Sequence, residues 1–432
     1  MDFKALKELA QTITRYKIAK IEVMGNPRQR HGRMEKLYDG LLSDAFKDDD
    51  EAGKALFGTE DFDRNQYRRI KNRLERQLIN TALFVDTNRP HFTERSTAYH
   101  QCYFDFAAAQ ILLMRGAASA GVEVMERTLE MVQKYEFINL GAEITLALRR
   151  QYARAKSNVS KHNLYSRLHK EFELKRRWEM LAMDYHEELV HYYVGHRIPD
   201  PEIYQKATDF RAELLPLLPQ VDTAQFSFHT HQIGIIQYFA INDCGEALKI
   251  CEVSSKYLLD HPNANRDFIV GVLAQKMLCL IQLRHFDASE VLSTMNIYWA
   301  MVEFGAYNWF LGKELLLFYY LHTRQYEAAL RTFAEGYKHE RFHTLTGNVR
   351  DKWYLYAGYL HLLADLGRLD KAAVEASAGP YRYAKLVNEF AVLDKEKMGM
   401  NIPLAILPLL VSLAKSEAEY PEEYLTSVER YR

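Results

Sequence analysis

Glycine and proline are scarce, at 20 and 11 of 432 residues. Together they make up about 7% of the chain, where average usage gives roughly 12%. So little turn punctuation disfavours many-stranded sandwiches and folds built on glycine loops. Neither charge is in excess: 56 basic residues meet 57 acidic ones, for a net charge of -1. A global pull towards nucleic acid or an acidic membrane is thereby excluded, and such a partner would have to be held by a local patch. Cysteine is limited to Cys102, Cys244, Cys251 and Cys279, with no C-x-x-C pair. That is no disulfide framework, and it points to a reducing compartment. Long apolar runs are missing as well, since the longest, Leu404 to Ala414, is about half of the ~20 residues a spanning helix needs and contains Pro408. The start, Met-Asp-Phe-Lys-Ala-Leu-Lys-Glu, mixes charges where a secretory signal needs an apolar core. A soluble, cytoplasmic protein with no membrane attachment is expected.

What the chain does have is helical periodicity. Between Asp63 and Asp86, Tyr67, Ile70, Leu74, Leu78 and Leu83 make one apolar stripe, with Arg64, Arg68, Lys71 and Glu75 on other faces. Period-2 alternation is nearly absent, so the expected fold class is all-α. Breaks fall at Gly25-Asn26-Pro27, Gly58-Thr59, Thr87-Asn88-Arg89-Pro90, Pro199 to Pro201, His261-Pro262-Asn263 and Gly379-Pro380. The segment 87–91 is the expected domain boundary, between a small helical bundle at 1–90 and an array of helical pairs at 91–432.

The array shows an internal register. Cys244-Gly-Glu-Ala247, Phe286-Asp-Ala-Ser289, Tyr326-Glu-Ala-Ala329 and Leu369-Asp-Lys-Ala372 each follow a polar turn and open an apolar helix. Their small residues, at 247, 289, 329 and 372, are spaced by 42, 40 and 43. On these residues the chain resembles the tetratricopeptide-repeat superfamily over roughly residues 223–395. The resemblance implies an α-solenoid of helix pairs whose small residues sit where two helices pack closely. The period of about 41 exceeds that family's 34, so each helix should be longer by roughly a turn. Residues 92–156 read as further divergent pairs, with a turn at Arg115-Gly116-Ala117 and helices over Ser119 to Tyr135 and Ile138 to Lys156.

Motifs with chemistry are incomplete. His186-Glu-Glu-Leu-Val-His191 spaces its histidines i and i+5, where a zinc helix needs i and i+4. Asp48-Asp49-Asp50-Glu51-Ala52-Gly53 opens like a calcium loop but has Thr59 at the twelfth place, so an acidic helix start is expected. Gly116 to Gly121 has the glycine spacing of a phosphate loop without its lysine. No nucleophile elbow or dinucleotide fingerprint occurs. The expectation is a protein that is not an enzyme, with no cofactor and no metal.

One charge cluster stands out. Arg149, Arg150, Arg154, Lys156, Lys161, Arg167, Lys170, Lys175, Arg176 and Arg177 face only Glu171 and Glu173 in the same stretch, with Tyr152, His162, Tyr165, His169 and Trp178 among them. Such a mix suits phosphates and stacked bases, and it also suits a solvated helix face. Within the segment, the stripe Leu164, Leu168, Phe172 is out of phase by about 240° with the stripe Trp178, Leu181, Tyr185, Leu189, Tyr192. Either the helix breaks near Lys175 or it is buried on two sides. The 28 tyrosines include Tyr192-Tyr193, Tyr319-Tyr320 and Tyr354 to Tyr359. Those on the first helix of each pair would line the inner surface where solenoids bind partners. The functional expectation is an adaptor or regulatory module that binds a protein or peptide. Peptide-sensing regulators are similar in layout, joining a small amino-terminal bundle to repeats of this length. The alternative is a regulator that binds RNA or DNA through 149–177.

Overall fold

A computed structural model of the protein describes residues 1–16, 32–84, 86, 93–154, 158–196, 200–381 and 401–414. Every regular element among them is a helix. The chain divides into two compact units, Met1–Met131 and Val132–Arg432. The boundary expected at 87–91 falls outside the described residues, as do the breaks at 25–27 and 87–90. The first unit continues beyond that segment.

In the first unit, α1 (Phe3–Tyr16), α2 (Arg33–Leu42), α3 (Asp49–Phe57) and α4 (Arg64–Ala82) surround a core that includes Leu6, Leu37, Leu41, Leu74 and Leu78. The stripe on α4 is seen at Tyr67, Leu74 and Leu78, whereas Leu83 lies past the helix end and is exposed. Lys71, placed by periodicity on an outer face, is instead buried. Its Nζ lies 2.8 Å from both carboxylate oxygens of Asp49, which also accepts the Tyr67 hydroxyl. The acidic run is indeed a helix start: Asp48 accepts the Glu51 amide as N-cap and Gly58 closes α3 at φ 71°. The unit goes on with α5 (Glu94–Met114) and α6 (Ala118–Lys134), and the division falls within the last turn of α6. Gly116 makes the turn between them at φ 85°, and a Cβ on Gly121 would press on Leu113 and the Ala109 carbonyl. Both glycines therefore have backbone reasons to be there.

In the second unit, α7 (Ile138–Arg154) pairs with α8 (Val159–His196). Then come α9 (Pro201–Leu214), the short α10 (Leu218–Val221), and four pairs. These are α11 (Ala224–Phe239) with α12 (Cys244–Asp260), α13 (Arg266–Gln282) with α14 (Ala288–Met301), α15 (Tyr307–His322) with α16 (Tyr326–Tyr337), and α17 (Gly347–Asp365) with α18 (Lys371–Ala378). A final helix, α19 (Asn401–Ala414), lies on α17 through Leu407 and Val411. This accounts for the apolar run at 404–414, and among the described residues no helix is long and apolar enough to cross a membrane.

The repeat is built by its turns. Each first helix ends in a left-handed residue, Asn242, Arg284, Arg324 or Gly367, at φ 57°, 55°, 58° and 66°. The amide after it reaches back to a carbonyl of the last turn, as in Asp243 to Tyr238 (2.9 Å) and Gln325 to Tyr320 (2.8 Å). This is the Schellman closure. These turns are spaced by 42, 40 and 43 residues, the same spacings found in the sequence.

The packing register differs from that reading in alternate pairs. After Asn242 and Arg324 the second helix begins at once, but after Arg284 and Gly367 two more residues intervene, and Phe286 and Leu369 precede the capping Asp287 and Asp370. The fully buried fourth residues of the second helices are therefore Ala247, Val291, Ala329 and Val374, while Ser289 and Ala372 are exposed. Ala329→Leu should cost ~1–3 kcal/mol by overpacking. Ala372→Leu should change stability by less than about 0.5 kcal/mol. Thermal melts that rank the two variants the other way would refute this register.

Candidate binding face

The first helix of the leading pair, α11, is unusual because its buried side chains include Ser227, His229, Thr230, His231, Gln232 and Gln237. A buried polar group needs a partner, and three of these, His229, Gln232 and Gln237, find one on a neighbouring helix. Gln232 and Gln275 of α13 exchange side-chain amide hydrogen bonds of 2.8 and 2.7 Å. Gln237 donates to Thr208 of α9 at 2.8 Å, and His231 Nδ1 lies 2.7 Å from the Ser227 carbonyl. His229 meets His186 of α8, Nδ1 to Nδ1, at 3.0 Å. That contact requires one ring to donate and the other to accept, so the accepting ring is neutral with its proton on Nε2. Burial lowers the pKa of His186 to about 4 and, together with repulsion from His186, that of His229 to about 3.

These links share a spacing. Thr223 donates to the buried Glu179 at 2.5 Å, 44 residues away; His186 and His229 are 43 apart; Gln232 and Gln275 are 43 apart; Tyr356 donates to Glu314 at 2.6 Å, 42 residues away. Each joins neighbouring first helices across one repeat, so α8, followed by α9, acts as the first helix of an earlier pair. The helix α8 is unbroken at Lys175. It packs on α7 through Tyr165 and Phe172 in its first half and on α9 and α11 through Ala182 and Leu189 in its second, so different helices cover it along its length. The sequence stripes missed that continuity because its middle member is Glu179, a carboxylate buried to 3% exposure by its bond to Thr223.

Beside the polar links runs a half-buried aromatic lining. Phe228 of α11 stacks on Phe268 of α13, with ring centroids 4.1 Å apart and planes at 6°, and Phe318 of α15 meets Tyr356 of α17 edge to face at 5.2 Å. On α13, Phe268, Gly271 and Gln275 follow i, i+3, i+7 and so share a face. A Cβ at Gly271 would have nothing within 4 Å. Of the tyrosines expected on this lining, Tyr356 is there, whereas Tyr354 stacks on Tyr381 and Tyr359 donates to the Pro403 carbonyl beneath α19.

No family model matches the chain, and neither the curated proteins nor the solved structures contain a match.

The ten basic side chains are spread over the α7–α8 pair. Lys156 lies outside the described residues. Arg149, Arg150 and Arg154 are on α7 and the other six on α8, where Lys161 and Arg177 are about 24 Å apart along the axis. Several are engaged: Arg176 with Glu143 and Glu173, Arg167 with Glu171, and Lys161 with the Tyr152 hydroxyl. Lys175 is half-buried, and Arg177 lies over the Trp178 ring. On α8 only Arg167, Lys170 and Arg177 share an exposed face, with Leu174 between them. In the His186 to His191 segment His186 turns to His229, and among the described residues no three His, Cys, Asp or Glu side chains are grouped to hold an ion.

Proposed function

We infer that this chain is a non-catalytic helical-repeat adaptor or regulatory protein, similar to the tetratricopeptide-repeat superfamily. It binds a protein or peptide segment along the first helices of its pairs. The observation that carries this reading is Gly271. A glycine in mid-helix costs about 1 kcal/mol relative to alanine, and no neighbour of Gly271 demands the missing side chain. Its use is to leave room for another backbone to come close, between the ring of Phe268 and the amide of Gln275. A non-catalytic role is supported by the thiols: all four are free, and burial raises Cys102 to about 11, away from the nucleophilic thiolate.

Gly271→Leu should fill that space without unfolding the protein, since the Cβ it adds meets no neighbour within 4 Å. In a pull-down from native extract under gentle salt, the wild type should retain a protein or peptide that Gly271→Leu loses while melting like the wild type. Equal capture by both, or turnover of a small molecule by purified protein that captures nothing, would end this reading.

A nucleic-acid partner is the second reading, favoured by one observation: among the described residues Arg150, Arg154 and Lys170 have no carboxylate partner. Phosphate contacts would make affinity fall steeply with salt. Salt-independent binding, or none at low salt, would leave these residues as a solvated surface.

A further inference from the structure

Helix α4 packs inward through Tyr67, Leu74 and Leu78 and shows its opposite side to water. The charges on that side are all positive. Arg68, Arg69, Asn72, Arg73, Arg76 and Asn80 are exposed, and at 100° per residue they lie within about 140° of one another. The helix has one carboxylate, Glu75, which is half-buried at the edge of this sector and engaged by the terminal amine of Met1. Other acids that touch α4 are occupied: Asp63 caps its amides, Asp49 holds the buried Lys71, and Asp50 meets Arg64. Among the described residues, Arg68, Arg69, Arg73 and Arg76 have no carboxylate partner. Like charges at i, i+3 and i, i+4, as in Arg69, Arg73 and Arg76, weaken a surface helix, whereas opposite charges at those spacings support it. Every exposed cation of α4 is an arginine, the side chain whose planar fork matches phosphates and base edges.

We propose that this side of α4 binds in the major groove of duplex DNA. That groove is about 12 Å wide and admits one helix, whose flanks then face phosphates while its centre faces base edges. The residues divide in the same way. Arg68 stands at one edge of the sector and Arg73 at the other. Arg33, at the start of α2, donates to the Gln66 side chain at 3.0 Å and so joins the edge of Arg73, about 20° away from Gln66 on the helix. Between these edges Arg69, Asn72 and Arg76 fall within about 60° of one another. Arginine pairs bidentately with guanine and asparagine with adenine, and Ile79, 48% exposed, offers an apolar contact to a thymine methyl. An acidic protein surface would engage the arginines alone, whereas arginines interleaved with amides match the donors and acceptors of base edges. The major groove of an RNA duplex is too deep and narrow for side chains to read. This surface belongs to the first unit and uses none of residues 149–177.

Fluorescence anisotropy of the full chain with a labelled random-sequence DNA duplex of about two helical turns should show binding at low salt. With about four phosphate contacts, raising the salt fourfold should weaken that binding by roughly a hundredfold. The double variant Arg69→Gln, Arg76→Gln, at exposed positions, should bind at least roughly tenfold more weakly while melting like the wild type. In Asn72→Cys, which keeps every arginine, the new thiol should react with an alkylating reagent in the free protein and be shielded by saturating duplex. No binding at low salt, or binding indifferent to salt, would overturn the proposal. So would a duplex that leaves residue 72 open to alkylation, or a duplex RNA bound as tightly as the DNA. Binding that survives the α4 substitutions but is lost in Arg150→Gln, Arg154→Gln, Lys170→Gln would assign the DNA to the other surface and overturn it as well.

Discussion

Lowering the pH from 7 to 5 is expected to cost this protein about 4 kcal/mol of stability through His186 and His229 alone. Both imidazoles are held well below the ordinary 6.5, to about 4 and about 3, chiefly because burial between α8 and α11 disfavours the charged form. The unfolded chain takes up protons first as pH falls. Stability is therefore complete above pH 6.5 and is lost below it, by about 1.4 kcal/mol per pH unit for each ring until the folded values are reached. Burial lowers His231 in the same direction, though its Nδ1 already has the Ser227 carbonyl. Urea unfolding at pH 7 and pH 5 measures the effect. The double variant His186→Leu, His229→Leu should lose much less stability over that interval than the wild type, and an identical loss in both would show that the pair is not responsible.

Trp353→Ala should cost ~3–5 kcal/mol, the usual range for deleting a large buried aromatic. Its ring is fully buried and lies among Phe310 of α15, Phe333 of α16 and Phe342, at centroid distances of 6.2, 5.5 and 5.8 Å. A Cβ on Gly336 would come within 2.2 Å of that ring, so the glycine makes the space the indole fills. The side chain thus joins the third pair to the fourth. A repeat array is stabilised by nearest-neighbour contacts, so hydrogen exchange should speed up first in α15 to α18, with α11 and α12 keeping their protection. Uniform acceleration over the whole unit would contradict that picture.

Much of the fold was legible because helix periodicity and turn chemistry are local. The spacings 42, 40 and 43 appear in the sequence and again in the left-handed turns, since Asn242, Arg284, Arg324 and Gly367 lie in the polar stretches that mark them. What local pattern did not carry was how many residues separate each turn from the next helix. The small residues at 289 and 372 were therefore aligned with the buried ones at 247 and 329, although Val291 and Val374 hold those places. Lys71 was set on an outer face because charge ordinarily seeks water, and only Asp49, 22 residues earlier in the chain, makes its burial tolerable.

The candidate binding face was almost silent in the sequence. Gln232 and Gln275 are ordinary amides until α11 and α13 are brought side by side, and His186 drew notice only as part of a failed metal motif. Gly271 gave no signal at all, because its significance is the empty space next to it. By itself the sequence determined the all-helical class, the repeat period and the absence of a complete catalytic motif, since each rests on residue spacing along one chain. Tertiary structure alone decided which polar groups are buried together and that α8 runs unbroken as the first helix of an earlier pair. Those outcomes depend on which helix faces lie against each other, and the sequence spacing within a single helix does not specify its neighbour.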